Sequence, residues 1–198
     1  MLPKAEPKQI VVISGPTGSG ESTITNEIIR RYPRKVARLV TATTRVPRKG
    51  EQNGIDYYFF RKEDFLAKEK ADELVETTYI KNRDTYYGTY LPDLQGKLDA
   101  DYIVIANTDV VGTKFYKQHY DATTIFIMPG NMDEVPDRLK KRNPEMSEDD
   151  INKRFDNAKK EMAEERPFYD YEVVNADGKL EESVEEVITI MKKEGYNV

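Results

Sequence analysis

The stretch of the chain best suited to chemistry has the sequence GPTGSGEST and runs from Gly15 to Thr23. An apolar run precedes it and a segment of helical period follows, which is the context in which a glycine-rich turn binds phosphate. The glycines let backbone N–H groups point inward, and the start of the following helix adds partial positive charge. The pattern predicts a phosphate-binding loop formed by Gly15, Gly18, Ser19, Gly20, Ser22 and Thr23. A hydroxyl at Ser22 or Thr23 is suited to bind Mg²⁺, and we assign the metal to Ser22.

Position 21 departs from the pattern of a phosphate-binding loop. The pattern has a lysine there, whose cation reaches the outer phosphates, and this chain has Glu21. A lysine about 4 Å from a phosphate charge contributes roughly 4 kcal/mol at an effective dielectric constant near 20. The reversed charge predicts a loss of about 3 to 5 kcal/mol of transition-state stabilisation, which slows a reaction about 10²- to 10⁴-fold.

Charge and composition exclude several classes of function. The formal charge is −5, from 31 Lys and Arg against 36 Asp and Glu, which excludes a surface that coats nucleic acid. The chain has no cysteine and one histidine, so disulfides, thiolate sites and histidine clusters are excluded. No apolar run approaches the length of a membrane span. We expect one cytoplasmic domain of 198 residues, a monomer or a homodimer, that binds neither nucleic acid nor membrane.

Short apolar runs alternate with longer segments of helical period, which is typical of a parallel sheet covered by helices. Strands of this sheet are predicted at 9–14, 36–41, 102–106, 123–128 and 171–175. Shorter strands of a small mixed sheet are predicted at 57–60, 74–79 and 86–88. Helices are predicted at 21–31, 62–71, 92–99, 109–118, 131–142, 147–164 and 180–194, with caps at Asp109, Asn131 and Ser147.

Residues 43–51, with the sequence TTRVPRKGE, together with Gly54, Asp56 and Tyr57 resemble the signature of the guanylate kinase family. Further matches cover most of the chain: Tyr86-Tyr87-Gly88-Thr89, Arg138-Leu139 with Arg142, Asn152 to Arg154 with Ala158 and Glu161, and Val174-Asn175. The resemblance implies an α/β P-loop kinase fold. It also implies a core at 1–40, 91–130 and 165–198, a small mixed-β GMP-binding subdomain at 41–90 and a helical lid at 131–164.

The family resemblance implies transfer of a phosphoryl group from ATP to GMP, giving ADP and GDP, with Mg²⁺ bound beside ATP. Two arginines three residues apart can grip a dianionic phosphate together with phenol donors. The implied GMP site is Arg45, Arg48, Tyr57 and Tyr87 for the phosphate and Thr41, Glu76, Thr89 and Asp109 for guanine. Carboxylates suit guanine because they accept from its N1–H and amino groups. The implied catalytic charges are Arg48, the lid residues Arg138, Arg142 and Arg154, and the residue at position 21, here Glu21.

Two further features depart from the family pattern. The strand expected to end in two aspartates one residue apart reads Asn107-Thr108-Asp109, so the acid expected near the metal is Asn107. The segment between Glu76 and Tyr87 is longer than the usual spacing. Three functions therefore stay open: an impaired GMP kinase, a noncatalytic module that binds GMP or a phosphorylated peptide, and a kinase for another monophosphate. The lid arginines favour a kinase, and the lost lysine favours the module.

Overall fold

The computed structural model describes residues 8–48 and 50–198, so residues 1–7 and Lys49 of the signature lie outside the described residues. The strands are β1 (Ile10–Ser14), β2 (Val36–Arg38), β3 (Ala42–Thr43), β4 (Tyr58–Phe59), β5 (Leu74–Ile80), β6 (Thr85–Tyr90), β7 (Ile103–Ala106), β8 (Thr123–Pro129) and β9 (Tyr171–Asn175). The helices are α1 (Glu21–Arg31), α2 (Lys62–Lys70), α3 (Leu91–Asp99), α4 (Val110–Tyr120), α5 (Val135–Arg142), α6 (Glu148–Glu164) and α7 (Leu180–Lys193). In this part of the chain no helix is both long and apolar enough to cross a membrane.

The main sheet has five parallel strands in the order β2-β7-β1-β8-β9. All residues of β1 and β7 are buried, because helices cover both faces and their apolar runs meet no water. Alternate residues of a strand point to opposite faces, so Val11 and Ile13 pack under α1 and α7 while Ile10 and Val12 pack under α3 and α4. The loop after β1 therefore leaves the middle of the sheet at its carboxyl edge, where open α/β sheets bind ligands.

The second sheet has four strands in the order β4-β3-β6-β5. Strand β3 is parallel to β4 and antiparallel to β6, and β5 is antiparallel to β6. Its small core consists of Ala42, Phe65 and Leu74, with the rings of Tyr58 and Tyr90 packed against them. This sheet lies within the predicted range 41–90. The α/β architecture, with a parallel sheet flanked by helices and a second mixed sheet, is thus confirmed, while the GMP-binding and lid roles stay predictions.

Strand β2 ends at Arg38, so the predicted strand at 36–41 is wrong in its second half. Two residues later the N–H of Val40 donates to the Asp93 carboxylate at 3.0 Å. The chain leaves the main sheet there and pairs in β3. The carboxylate that ends the strand comes from α3, far away in the sequence, and periodicity carries no signal of it.

The predicted helix at 131–142 is also wrong at its start. Asn131 accepts from the N–H of Asp133 at 3.0 Å, but it caps a 3₁₀ turn, Met132–Glu134, and α5 begins only afterwards. Pro136 in the first turn of α5 explains the break, because proline lacks the N–H that an uninterrupted helix requires there.

Two other predicted caps are confirmed. One oxygen of Asp109, Oδ1, accepts from the N–H groups of Val111 at 3.0 Å and Gly112 at 3.1 Å and so begins α4. The hydroxyl of Ser147 accepts from the N–H of Asp150 at 3.2 Å and begins α6. Such caps satisfy N–H groups that a helix start leaves without partners.

Candidate active site

The loop between β1 and α1 has the tight shape that its glycines predict. Gly18 and Gly20 have φ values of +85° and +94°, a region that side chains with a Cβ rarely adopt. A Cβ on Gly20 would lie 2.3 Å from Nδ2 of Asn175, and one on Gly15 would lie 2.4 Å from the Ile127 carbonyl oxygen. The loop is therefore seated directly against the ends of β8 and β9, and only glycine fits at these positions.

Two side chains hold the loop in this shape. Asn175 at the end of β9 donates from Nδ2 to the Ser19 carbonyl at 2.8 Å. Arg138 of α5 donates to the Gly18 carbonyl at 3.2 Å and to the Asn175 carbonyl at 3.0 Å. The bonds to Gly18 and Ser19 use carbonyl groups of the loop and so occupy none of its N–H groups.

Glu21 points into the region where the loop should be cationic. Its Oε2 accepts from the Ser19 hydroxyl at 3.1 Å, and its Oε1 accepts from the Ser22 hydroxyl at 3.2 Å. Glu21 is the first residue of α1, where the helix dipole favours a negative charge. The carboxylate thus uses the electrostatic feature that would favour a phosphate, and it engages the hydroxyl predicted to bind the metal. Thr23, the next hydroxyl, is exposed.

A second carboxylate reaches the loop from α6. The N–H of Thr17 donates to Oε2 of Glu161 at 3.4 Å. Burial raises the pKa of Glu161 against the effect of this hydrogen bond, and the nearby charge of Glu21 raises it further. Burial and the charge of Glu161 likewise raise the pKa of Glu165. These residues and Asp109 line a cavity of about 340 Å³ beside the loop, so the region carries excess negative charge.

Asn107 lies at the end of β7, beside the loop. Its Nδ2 donates to the Ile13 carbonyl at 2.8 Å and to the Thr25 hydroxyl at 3.0 Å, which fixes the amide between β1 and α1. Its Oδ1 is buried, and within residues 8–48 and 50–198 it has no hydrogen-bond partner. One acceptor oxygen is therefore open to a ligand or a water at the predicted metal position.

Arg45 is held in place in the turn after β3. Its guanidinium forms two hydrogen bonds of 2.9 Å with the Glu51 carboxylate and lies 5.3 Å from the centre of the Tyr57 ring. The Arg45 bonds, with a bond of 2.7 Å from the Arg48 N–H, lower the pKa of Glu51 to about 2. The side chain of Arg48 is exposed, and the ring of Tyr87 lies 6.1 Å from that of Tyr57. The four predicted phosphate ligands are thus neighbours.

Glu76 lies in a bulge of β5, in the left-handed region with φ of +47°. Its Oε1 accepts from the Thr89 hydroxyl at 2.8 Å, and that hydroxyl lies 2.5 Å from the hydroxyl of Tyr116. Burial raises the pKa of Glu76 to about 7; the Thr89 bond opposes the rise and the charge of Asp109 adds to it. A cavity of about 190 Å³ is lined by Thr41, Tyr57, Glu76, Tyr87 and Asp109. Thr89 lies behind Glu76 and orients it.

The sequence matches the family model described as guanylate kinase over residues 7–194. The chain belongs to the guanylate kinase family. It is 36% identical over 187 residues to the guanylate kinase of Rhodopirellula baltica, covering 93% of this chain and 86% of the relative. It is 38% identical over 167 residues to the guanylate kinase of Desulfitobacterium hafniense, and the match covers 84% of this chain and 81% of the relative. The crystal structure of guanylate kinase from Anaplasma phagocytophilum superposes on this chain with a TM-score of 0.70 at 26% sequence identity. The superposition covers 96% of this chain and 88% of that structure.

Membership of the guanylate kinase family confirms the resemblance and makes the chain a phosphotransferase of the nucleoside monophosphate kinase class. The three lid arginines expected in that class lie at different distances from the loop. Arg138 contacts it, and Arg142 lines a cavity of about 680 Å³ that also includes Gly20 and Glu21. Arg154 is exposed on α6. The structure therefore brings one of the three to the loop, and the catalytic roles of all three stay predictions.

Three residues at this guanylate kinase site were not among the predicted site residues, although two of them, Asn175 and Glu161, match the family pattern. Asn175 and Glu161 contact the loop from positions far away in the chain, so no local pattern indicates these contacts. Arg38 is different, because a charged residue that ends the apolar strand β2 is a visible signal. Its side chain lies along the first two turns of α1.

Proposed function

We propose that the chain transfers the γ-phosphoryl group of ATP to GMP and produces ADP and GDP, with Mg²⁺ bound beside ATP. The observation that supports this most is the preformed acceptor site, in which Arg45 is fixed by Glu51 and Glu76 is fixed by a bulge and by Thr89. The cation of Arg45 suits the anionic end of a ligand, and the carboxylate of Glu76 suits an end that donates hydrogen bonds.

The arginine end is suited to the phosphate of GMP. Arg45 keeps its guanidinium beside the Tyr57 ring through the Glu51 ion pair, so little side-chain freedom is lost when phosphate binds. The exposed side chain of Arg48 starts from the same turn, and its N–H is held by the same carboxylate. We propose that Arg45, Arg48, Tyr57 and Tyr87 bind the phosphate.

The carboxylate end is suited to guanine. Glu76 faces the cavity from the second sheet and Asp109 from the start of α4, and ionised carboxylates only accept hydrogen bonds. Adenine offers no N1–H donor on the corresponding edge, so it would leave a partly buried carboxylate without a partner. We propose that these two residues, with Thr41 and Thr89, select guanine.

The residues around the loop fit a magnesium ion. Mg²⁺ keeps several waters and is usually bound through one or two protein groups and the phosphates of a nucleotide. The Ser22 hydroxyl would hold it directly, and the buried Oδ1 of Asn107, which lacks a partner among the described residues, would accept from a metal-bound water. When bound, the ion neutralises charge on the transferred phosphoryl group.

We further propose that Glu21 slows this reaction and that the core, the second sheet and the α5–α6 region act as nucleotide core, GMP-binding subdomain and lid. The carboxylate of Glu21 sits at the helix start beside Ser19 and Ser22, so it repels the phosphates that the loop would bind. Arg138, Arg142 and Arg154 would add positive charge when the lid closes.

A coupled assay of ADP release with GMP, AMP, UMP and dTMP tests the function, run on the native protein and on Glu21→Lys. We expect GMP to be the preferred acceptor in both. Glu186→Lys, the same charge change at an exposed position of α7, is the matched control and should behave as the native protein does. Preference for another monophosphate would assign the chain to a different acceptor.

A second candidate function is a noncatalytic module that binds GMP or a phosphorylated peptide. The specific observation that favours it is the Glu21 carboxylate in the loop, which affects the donor site and leaves the acceptor site intact. A Glu21→Lys protein that binds ATP and GMP tightly but releases no ADP would favour this module over the kinase.

A further inference from the structure

We propose that Arg38 supplies the positive charge that position 21 lacks and binds the outer phosphates of the nucleotide directly. This inference rests on the proposed function, because it assigns the residue to the donor side of the same site.

Arg38 is the last residue of β2, the edge strand that packs beside β7 and against α1. Its Nη2 donates to the Ser22 carbonyl at 3.3 Å and to Oδ1 of Asn26 at 3.0 Å. Ser22 belongs to the phosphate-binding loop and Asn26 lies one turn further along α1. These two bonds fix the guanidinium beside the first turn of the helix, at the carboxyl edge of the sheet.

The charge of Arg38 is half-buried and not neutralised by a contact. Both of its acceptors are neutral, and among residues 8–48 and 50–198 no ion pair includes it. Burial lowers the pKa of Arg38, and the nearby carboxylates of Glu21 and Asp56 oppose this effect. Glu21 belongs to the loop and Asp56 follows the turn of the proposed acceptor side, so the cation of Arg38 lies near charges on both sides of the site.

The other arginines held near the site carry anionic partners. Arg45 is paired with Glu51, and Arg138 is paired with Glu134 and Asp177. A half-buried guanidinium without such a partner is costly, and a phosphate anion would supply it. Arginine remains protonated in this setting and forms paired hydrogen bonds with phosphate. Nη2 makes both observed bonds, so other N–H groups of Arg38 remain for the nucleotide.

The test measures ATP affinity by calorimetry in the presence of Mg²⁺, with Arg38→Met introduced into three proteins: native, Glu21→Gln and Glu21→Lys. If Arg38 acts on phosphate, its loss should weaken ATP binding at least about tenfold in the native and Glu21→Gln proteins. The loss should be less than about threefold in Glu21→Lys, because the lysine then supplies the charge. Arg38→Lys keeps a cation and should retain most of the affinity.

Each contrary result has a distinct meaning. A loss of ATP affinity confined to the native protein would show that Arg38 only neutralises Glu21. An equal loss in all three proteins would show a structural role. Either result overturns the proposal. Arg34→Met, at an exposed position before β2, is the matched control and should leave ATP affinity unchanged. Failure of the proposed function is seen separately, as absence of GMP-dependent ADP release by Glu21→Lys.

Discussion

The two proposed phosphate sites of this protein contrast in how each arranges its charges. In the acceptor site the Glu51 carboxylate holds Arg45 ready beside Tyr57, so an acid organises a cation. In the donor site the Glu21 carboxylate binds the hydroxyls of Ser19 and Ser22, so an acid takes the place of a cation. The same residue type therefore prepares one site and obstructs the other. The contrast indicates that a chain can keep its ability to bind the acceptor while phosphoryl transfer becomes slower, or lose acceptor binding while the donor site stays intact.

The acceptor side of this comparison is tested by Arg48→Ala. We expect GMP affinity to fall about 100-fold, because a charge-assisted pair of bonds to phosphate is lost. Calorimetry with GMP measures this affinity. Arg83→Ala, an exposed arginine in the β5–β6 connection, is the control and should bind as the native protein does. Unchanged binding by Arg48→Ala would remove the residue from the site.

The donor side is tested by Glu21→Lys. We expect kcat to rise at least about tenfold, with a smaller change in the Michaelis constant for GMP, since the lysine acts mainly on the transition state. Steady-state ADP release measures both constants. A protein that binds ATP tightly and gains no activity would contradict the idea that Glu21 limits the reaction.

The pH dependence of GMP binding tests the proposed acceptor site separately from the donor site. The pKa of Glu76 is raised to about 7, so its carboxylate is ionised above that pH and protonated below it. The ionised form is the stronger acceptor for guanine N1–H, so we expect GMP affinity to fall by about five- to tenfold between pH 8 and pH 6. Calorimetry at the two pH values tests this. Glu76→Gln should bind more weakly at pH 8 and lose most of the pH dependence, because only the second ionisation of the GMP phosphate, with a pKa of about 6, then remains. An unchanged slope in Glu76→Gln would assign the titration to another group.

The smallest expected effect concerns Asn107→Asp. A carboxylate at this position would strengthen the hold on a metal ion, but it adds negative charge beside Glu21. We therefore expect no gain in the native protein and about a threefold further gain in kcat in Glu21→Lys. ADP-release kinetics of the two single variants and the double variant measure the coupling. Equal gains in both backgrounds would indicate that the two positions act independently.

The parts of the fold and site that could be predicted from the sequence are those whose determinants are local. The glycines of the phosphate-binding loop and the cap at Asp109 are read from neighbouring residues, and the structure has the loop shape and the cap. The end of β2 could not be predicted, because a carboxylate of Asp93 in α3 sets it. Glu161 approaches the loop from α6, and only the folded chain brings the two together.

The functional residues divide in the same way. Arg45 and Arg48 are recognisable because their spacing on one turn is itself the chemical feature. The importance of Arg38 depends on which side of β2 faces α1 and on what surrounds the guanidinium, and a strand of three residues gives no periodicity from which to read that. The sequence shows that a cation stands at Arg38, but it does not show which groups surround the guanidinium.

The cap at Asp109 has a mechanical consequence. One oxygen, Oδ1, holds the start of α4 on the main sheet, so the other oxygen can contact a base without releasing the helix. Glu76 faces the same cavity from the second sheet. At the proposed site, a purine bound between them would be a removable cross-link between the second sheet and the start of α4, and its contacts would restrain how the two are arranged. Inorganic phosphate could fill the arginine end but would leave that arrangement free, so the base would set the geometry in which the phosphate can react.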